Sequence, residues 1–237
     1  MCKTITSFIF ALTFAMLTAC DDGPVNETPV FNQEGRNVKL TADITGLDTW
    51  PQSLYVALAA FNDESDYAIT SRRINEENGK LSIALTGIGD EATRVELCVL
   101  NTLRQRVATF ATLEKAALQS TADTIFFEGD SFNLSMLTAI QHSVFNTTCI
   151  GCHGGNGGAA AGLFLTEGKS HAALVGQASK KSADGTLVIP GDAQQSILYQ
   201  VLATDLSKGW RYDHTSEVID SRRQKLILEW IRGGAKE

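Results

Sequence analysis

Between residues 37 and 129 the apolar positions recur every second residue. Val38, Leu40, Ala42 and Ile44 alternate with polar neighbours, the period of a strand with one buried face. Similar runs follow at Leu54–Phe61, Tyr67–Ile74, Leu81–Leu85, Arg94–Leu100, Arg106–Phe110 and Thr124–Phe127, separated by turn residues such as Gly46, Pro51 and Asn62–Asp66. Asn78-Gly79 between two such runs is a hairpin signal. Leu113–Leu118 reads as one helical turn in the last connection. Seven short strands at this spacing predict an all-β antiparallel sandwich, loosely immunoglobulin- or fibronectin-like. After residue 130 the period changes. Leu134, Leu137, Ile140 and Val144 recur at three and four residues, behind Asp130 or Ser131 as a cap. Short helices are expected at Lys169–Val175 and after Pro190-Gly191-Asp192, where Ile197, Leu198, Val201 and Leu202 share a face. A last helix is expected from Ser221 to Arg232, with Leu226, Ile227, Trp230 and Ile231 on one side and Gly233-Gly234 ending it.

The first long helical pattern of this second half runs into Cys149-Ile150-Gly151-Cys152-His153. C-x-x-C-H is the attachment signature of a c-type haem. Two thiols add across the porphyrin vinyl groups, and the adjacent histidine falls beneath the iron as proximal ligand. One haem c, covalently held by Cys149 and Cys152 with His153 on the iron, is therefore the expected cofactor. Two other chemistries use C-x-x-C. A structural zinc site needs a second pair of ligands, and there is no second C-x-x-C. A redox dithiol of the thioredoxin kind follows a strand and opens a helix, whereas this motif ends a helical pattern and precedes Gly154-Gly155-Asn156-Gly157-Gly158.

Composition narrows the function further. The 237 residues are 43% hydrophobic and 20% charged, with a formal charge of −7 and no basic cluster, which argues against a nucleic-acid partner. Residues 1–19 read as a signal peptide: Lys3, a short apolar run Ile5–Met16, then Leu17-Thr18-Ala19-Cys20, which resembles a bacterial lipobox. The run is too short for a transmembrane helix. Cys20 is the expected lipidation site, and residues 20–36 an acidic tether. That predicts a lipid-anchored protein of the bacterial cell envelope, facing the periplasm or the cell surface. Cys2 leaves with the signal, so Cys98 remains alone, in a strand-like run where a buried small hydrophobe is expected. Residues 37–129 carry 8 basic and 13 acidic side chains, and residues 130–237 carry 10 of each. The first half has no histidine, and solvated faces account for its carboxylates. Trp50, Tyr55 and Tyr67 are candidates for a stacking surface.

The second half also resembles a known group. A helix into C-x-x-C-H-G is followed by Gly162-Leu163-Phe164-Leu165, by Ala172-Ala173-Leu174-Val175-Gly176, by Ile189-Pro190-Gly191-Asp192-Ala193 with Ser196-Ile197-Leu198-Tyr199, and by Trp230-Ile231-Arg232-Gly233-Gly234-Ala235. This order resembles the planctomycete-type cytochrome c domains, over about residues 132–236. The resemblance implies an all-α, class I cytochrome c-like fold for residues 130–237, with Trp230 packed where the first and last helices cross. Such domains usually place a methionine on the distal side of the iron, ahead of the last helix. This chain has no methionine after the haem motif. Met136 stands 13 residues before Cys149, about 20 Å along a helix. Of the remaining histidines, His142 lies on the polar side of the first helix and His171 in the first turn of a short one. His214 lies closest to where the resemblance places the methionine and is the expected distal ligand, with His171, water, a lysine or no ligand as the alternatives.

A second imidazole donates more strongly than a thioether and favours ferric iron. The expected function is a membrane-anchored, mono-haem electron carrier rather than an enzyme, with redox proteins as partners. The competing expectations are a surface-anchored binding module, in which the sandwich holds a polysaccharide or protein ligand, and a five-coordinate haem that binds gas or peroxide.

Overall fold

The computed structural model describes residues 35–75, 78–155, 158–206 and 212–237. The expected signal peptide, the lipobox at Leu17–Cys20 and most of the tether lie outside the described residues. Among the described residues no helix is long and apolar enough to cross a membrane.

Among the described residues, eight strands form two four-stranded sheets. They are β1 (Arg36–Thr45), β2 (Leu54–Phe61), β3 (Thr70–Arg73), β4 (Gly79–Ile88), β5 (Arg94–Asn101), β6 (Arg106–Leu113), β7 (Ile125–Phe127) and β8 (Ser131–Asn133). One sheet has the order β4-β1-β7, with β8 also on β1, and the other the order β3-β2-β5-β6. Their facing side chains make one core: Val38, Leu40 and Ile44 from β1, Leu81 and Ile83 from β4, Val56 and Leu58 from β2, Val95 and Leu97 from β5. The alternation along β1 is the cause, because its apolar set points one way and its polar set to water.

Two features differ from the expected sandwich. β7 and β8 run parallel to β1, so the first sheet is mixed and not all antiparallel. Asn78-Gly79 does not turn a hairpin, since β3 and β4 belong to different sheets. The Asn78 side chain instead accepts a hydrogen bond from the Leu47 amide at 3.0 Å, tying the crossing to the short 3-10 turn Leu47–Thr49.

Residues 130–237 do not form an all-α cytochrome c-like fold. The protein is 27% helical and 32% strand, and the helices of this half are few and short. After α1 (Lys115–Leu118) come α2 (Met136–Ile140), a π-helical segment Gln141–Cys149, α3 (Ile150–His153), α4 (Ser170–Leu174), α5 (Ile197–Ala203) and α6 (Ser221–Arg232). Between α4 and α5 the chain is held by isolated bridges, Val175 to Val188, Ala178 to Thr186 and Thr186 to Ser196. Gly176, Gly185 and Pro190-Gly191 interrupt any helical run there. The helices also do not close a core of their own. Met136, Ile140, Phe145, Leu226 and Trp230 pack with Leu54 of β2, Val99 of β5 and Val107 and Ala108 of β6. The indole N–H of Trp50 donates to the Leu134 carbonyl at 2.7 Å across the same seam. Gly46, at φ +82°, lets the chain pass there: a Cβ on it would stand 2.5 Å from the Ser135 nitrogen. The sheets therefore form a wall of the helical core.

Charge also crosses the seam. Glu96, only 2% exposed, accepts from Arg94 Nε at 2.9 Å and Thr109 Oγ1 at 2.7 Å, and pairs with Arg106. Arg106 also holds Asp66 at 2.6 Å, and Asp66 pairs with Arg222 of α6 at 2.9 Å. Glu96 is thus not one of the solvated carboxylates expected of this half. It stands on the face of β5 opposite Val95 and Leu97, and that face is covered too.

Candidate functional site

The C-x-x-C-H motif starts at Cys149, the last residue of the π segment, and continues through α3. Cys149 is half-buried against the helical core, Cys152 is exposed, and neither is in a disulfide. Burial pushes the Cys149 thiol up to about 11, with the Glu217 carboxylate and Cys152 adding to the effect. A reactive dithiol has the opposite property, a thiol held low by a helix N-terminus or a cation. Among the described residues, no three side chains of the His, Cys, Asp and Glu kind converge to hold a metal ion.

His153 is half-buried. Its Nδ1 stands 3.1 Å from the Ala160 carbonyl oxygen. A carbonyl only accepts, so Nδ1 carries the proton and Nε2 keeps its lone pair. Burial lowers the pKa of the ring, and the nearby His214 lowers it further, against the opposing pull of the Ala160 carbonyl. The imidazole is thus neutral at pH 7 and oriented by a backbone acceptor, the arrangement that metal-ligating histidines share. The loop that supplies Ala160 is held in turn, because the Leu165 amide donates to the His153 carbonyl at 2.8 Å.

The structure brings His214 to the same place. Its ring centroid is 6.4 Å from that of His153, and the two ring planes are 26° apart. Two imidazoles on opposite sides of one metal ion, each bonded at about 2 Å through a nitrogen about 1.1 Å from its ring centre, have centroids about 6 Å apart. Cys149, Cys152, His153 and His214 would be the residues to hold a haem, the thiols through thioether bonds and the imidazoles at its iron. The His214 segment is built locally. Tyr212 meets the His214 ring edge-on, at 5.0 Å and 78°, and its hydroxyl donates to the Glu217 carboxylate. Asp213 accepts from the Thr215 amide at 2.9 Å and hydroxyl at 2.8 Å. Val218 is buried, and Asp220 caps α6 by accepting from the Arg222 amide at 2.9 Å.

The other histidine with a defined contact is engaged elsewhere. His171 Nε2 lies 2.8 Å from the Ala235 carbonyl, and its ring meets Trp230 edge-on. Cys98 is fully buried in β5, and burial raises its thiol well above the usual range, with Glu96 adding to this. Of the candidates for a stacking surface, Trp50 and Tyr55 line one cavity with Leu47 and Arg73, the Trp50 indole donating to Leu134 and the Tyr55 ring lying under the Arg73 guanidinium at 5.0 Å, while Tyr67 is exposed. Two residues near the C-x-x-C-H motif were not expected from the sequence. Glu217 approaches from a loop with no local signal. Gln141, only 4% exposed, was marked by position: it follows Leu137 by four residues and so lies on the apolar stripe of the helix.

No family model, curated protein or solved structure matches this chain.

Proposed function

We propose that the protein is a mono-haem c-type electron carrier, with haem bound covalently by Cys149 and Cys152 and its iron held between His153 and His214. The observation that carries this reading is the facing pair of imidazoles, 6.4 Å apart, directly beside a C-x-x-C-H helix. When bound, the haem supplies one-electron exchange at its iron. The side chains do the rest. The two thiols keep the group in place through both oxidation states. His153, fixed by Ala160, would be one ligand of the iron. His214 would be the second and would leave no position for a substrate. The exposed Cys152 edge leaves a short path for an electron to a partner protein. Lipidation at Cys20 then fixes the carrier to a bacterial envelope membrane, through the tether that follows.

The test is haem content after production with a haem-attachment system. One haem per chain, retained on unfolding in acid, is expected for the parent protein. Replacing Cys149 and Cys152 together by alanine is expected to leave no retained haem. Retention of the same haem by the double variant, or absence of haem from the parent, contradicts the proposal.

A further inference from the structure

The helix that carries the haem motif changes its winding just before the motif, and one buried amide spans the change. Backbone bonding is α-type up to Gln141, whose N–H reaches Leu137 and Thr138. By Ile150 the N–H reaches five residues back, to the Phe145 carbonyl. A nine-residue π segment is rare, and such segments concentrate at functional sites.

The winding decides which way Cys149 points. Along an α-helix, Cys149 stands roughly 140° around the axis from Val144. At about 4.4 residues per turn for a π-helix, the same five residues leave Cys149 only roughly 50° from Val144. Cys152, three α-helical residues later, lies roughly 60° from Cys149 whichever winding precedes it, and it is exposed. Val144 is 1% exposed and marks the core side of the helix. With α winding throughout, Thr148 would take that side and Cys149 would turn away from it.

Gln141 is built to hold the π winding. Its Nε2 donates to Asn146 Oδ1 at 2.7 Å, a link between residues i and i+5 that joins one face of a π turn. In an α-helix those two positions diverge by roughly 140°. The same Nε2 donates to the Leu165 carbonyl at 2.9 Å, and Oε1 accepts from the buried Ser170 hydroxyl at 2.7 Å. Leu165 in turn donates to the His153 carbonyl at 2.8 Å.

We infer that Gln141 is a positioning residue for haem attachment: it locks the π winding that turns Cys149 toward the core side of the helix, and through Leu165 it holds the backbone of His153. This rests on the haem reading above. The test uses the full chain, made with haem-attachment machinery, as parent, Gln141→Leu, Asn146→Ala and Asn146→Asp. Covalent haem per chain, reduction potential, and melting of the haem-free protein are recorded for each. Gln141→Leu is expected to attach haem at least about fivefold less than the parent, the small end of what a lost buried hydrogen bond is worth. Asn146 is exposed, so its alanine variant is expected to fall in the same direction with an unchanged melting temperature. Aspartate, which still accepts from Nε2, is expected to restore attachment. A parent that takes haem while Gln141→Leu and Asn146→Ala match it in content and potential overturns the inference alone. If Gln141→Leu does not fold, the two Asn146 variants decide: equal attachment in both overturns it. A parent with no haem removes the reading beneath it as well.

Discussion

Replacing His214 by alanine is expected to turn a six-coordinate, low-spin haem into a high-spin one that binds carbon monoxide when reduced. The covalent haem content should not change, because both thiols and His153 are untouched. The argument is geometric. His214 is the one histidine whose ring faces His153, at 6.4 Å, whereas His171 spends its Nε2 on the Ala235 carbonyl at 2.8 Å. His171→Ala is therefore the matched control, with its spectrum unchanged and a stability loss of about 1 kcal/mol from the missing hydrogen bond. Absorption spectra of the ferric, ferrous and carbon monoxide-exposed proteins read the difference. Sharp low-spin bands surviving in His214→Ala would rule out His214 as the distal ligand.

Replacing Glu96 by alanine is expected to destabilise the protein by about 3 kcal/mol, at the lower end of the range for breaking a buried ion pair. The lower end applies because Arg94 and Arg106 are partly exposed and keep other partners, Asp63 at 2.6 Å and Asp66 at 2.6 Å. Glutamine, which preserves one acceptor oxygen, should lose less. Urea unfolding of the three proteins gives the values directly. The same network makes the seam between sheets and helices sensitive to acid. Burial opposes ionisation of Asp66, yet its hydrogen bonds from Arg222 and Arg106 hold its carboxyl below the usual range. Asp220 behaves alike under Arg222. A carboxylate whose folded pKa is depressed contributes stability above its unfolded value of about 3.9, and that contribution is lost as pH falls through the folded value. Stability from this network should accordingly be constant from neutral pH down to about pH 5 and fall away below about pH 4. Asp66→Asn should flatten that part of the acid limb.

The strands were legible because alternation is a local property. Val38 to Ile44 announces one buried face wherever the strand goes, and β1 has it. Strand partners were not legible in the same way. Nothing local to Ile125–Phe127 or Ser131–Asn133 indicates that both run parallel to β1, and Asn78-Gly79 carries a hairpin signature at a crossing between sheets. Glu96 was hidden because one residue in six of an apolar strand reads as solvent-facing, and only the assembled fold covers that second face with Arg94 and Arg106. In the second half the apolar stripe of α6 was clear, with Leu226, Ile227, Trp230 and Ile231 all buried. The all-α expectation failed for a reason that short helices share. Each buries its stripe against whatever lies nearest, and here that is the end of β2, β5 and β6 as much as another helix. The π segment gives no signal to a search for a 3.6-residue period. The C-x-x-C-H motif was fully visible. The facing of His153 and His214, 61 residues apart, belongs to the tertiary structure alone.

The electron paramagnetic resonance spectrum of the ferric, mature protein tests the central claim most directly, since it reports iron, spin state and the mutual orientation of the axial rings together. Imidazole planes 26° apart are close to parallel and should give an ordinary rhombic low-spin signal from one iron per chain. An axial high-spin signal would mean that His214 does not reach the iron. A spectrum with no haem iron would contradict the assignment of Cys149, Cys152 and His153 as a haem site.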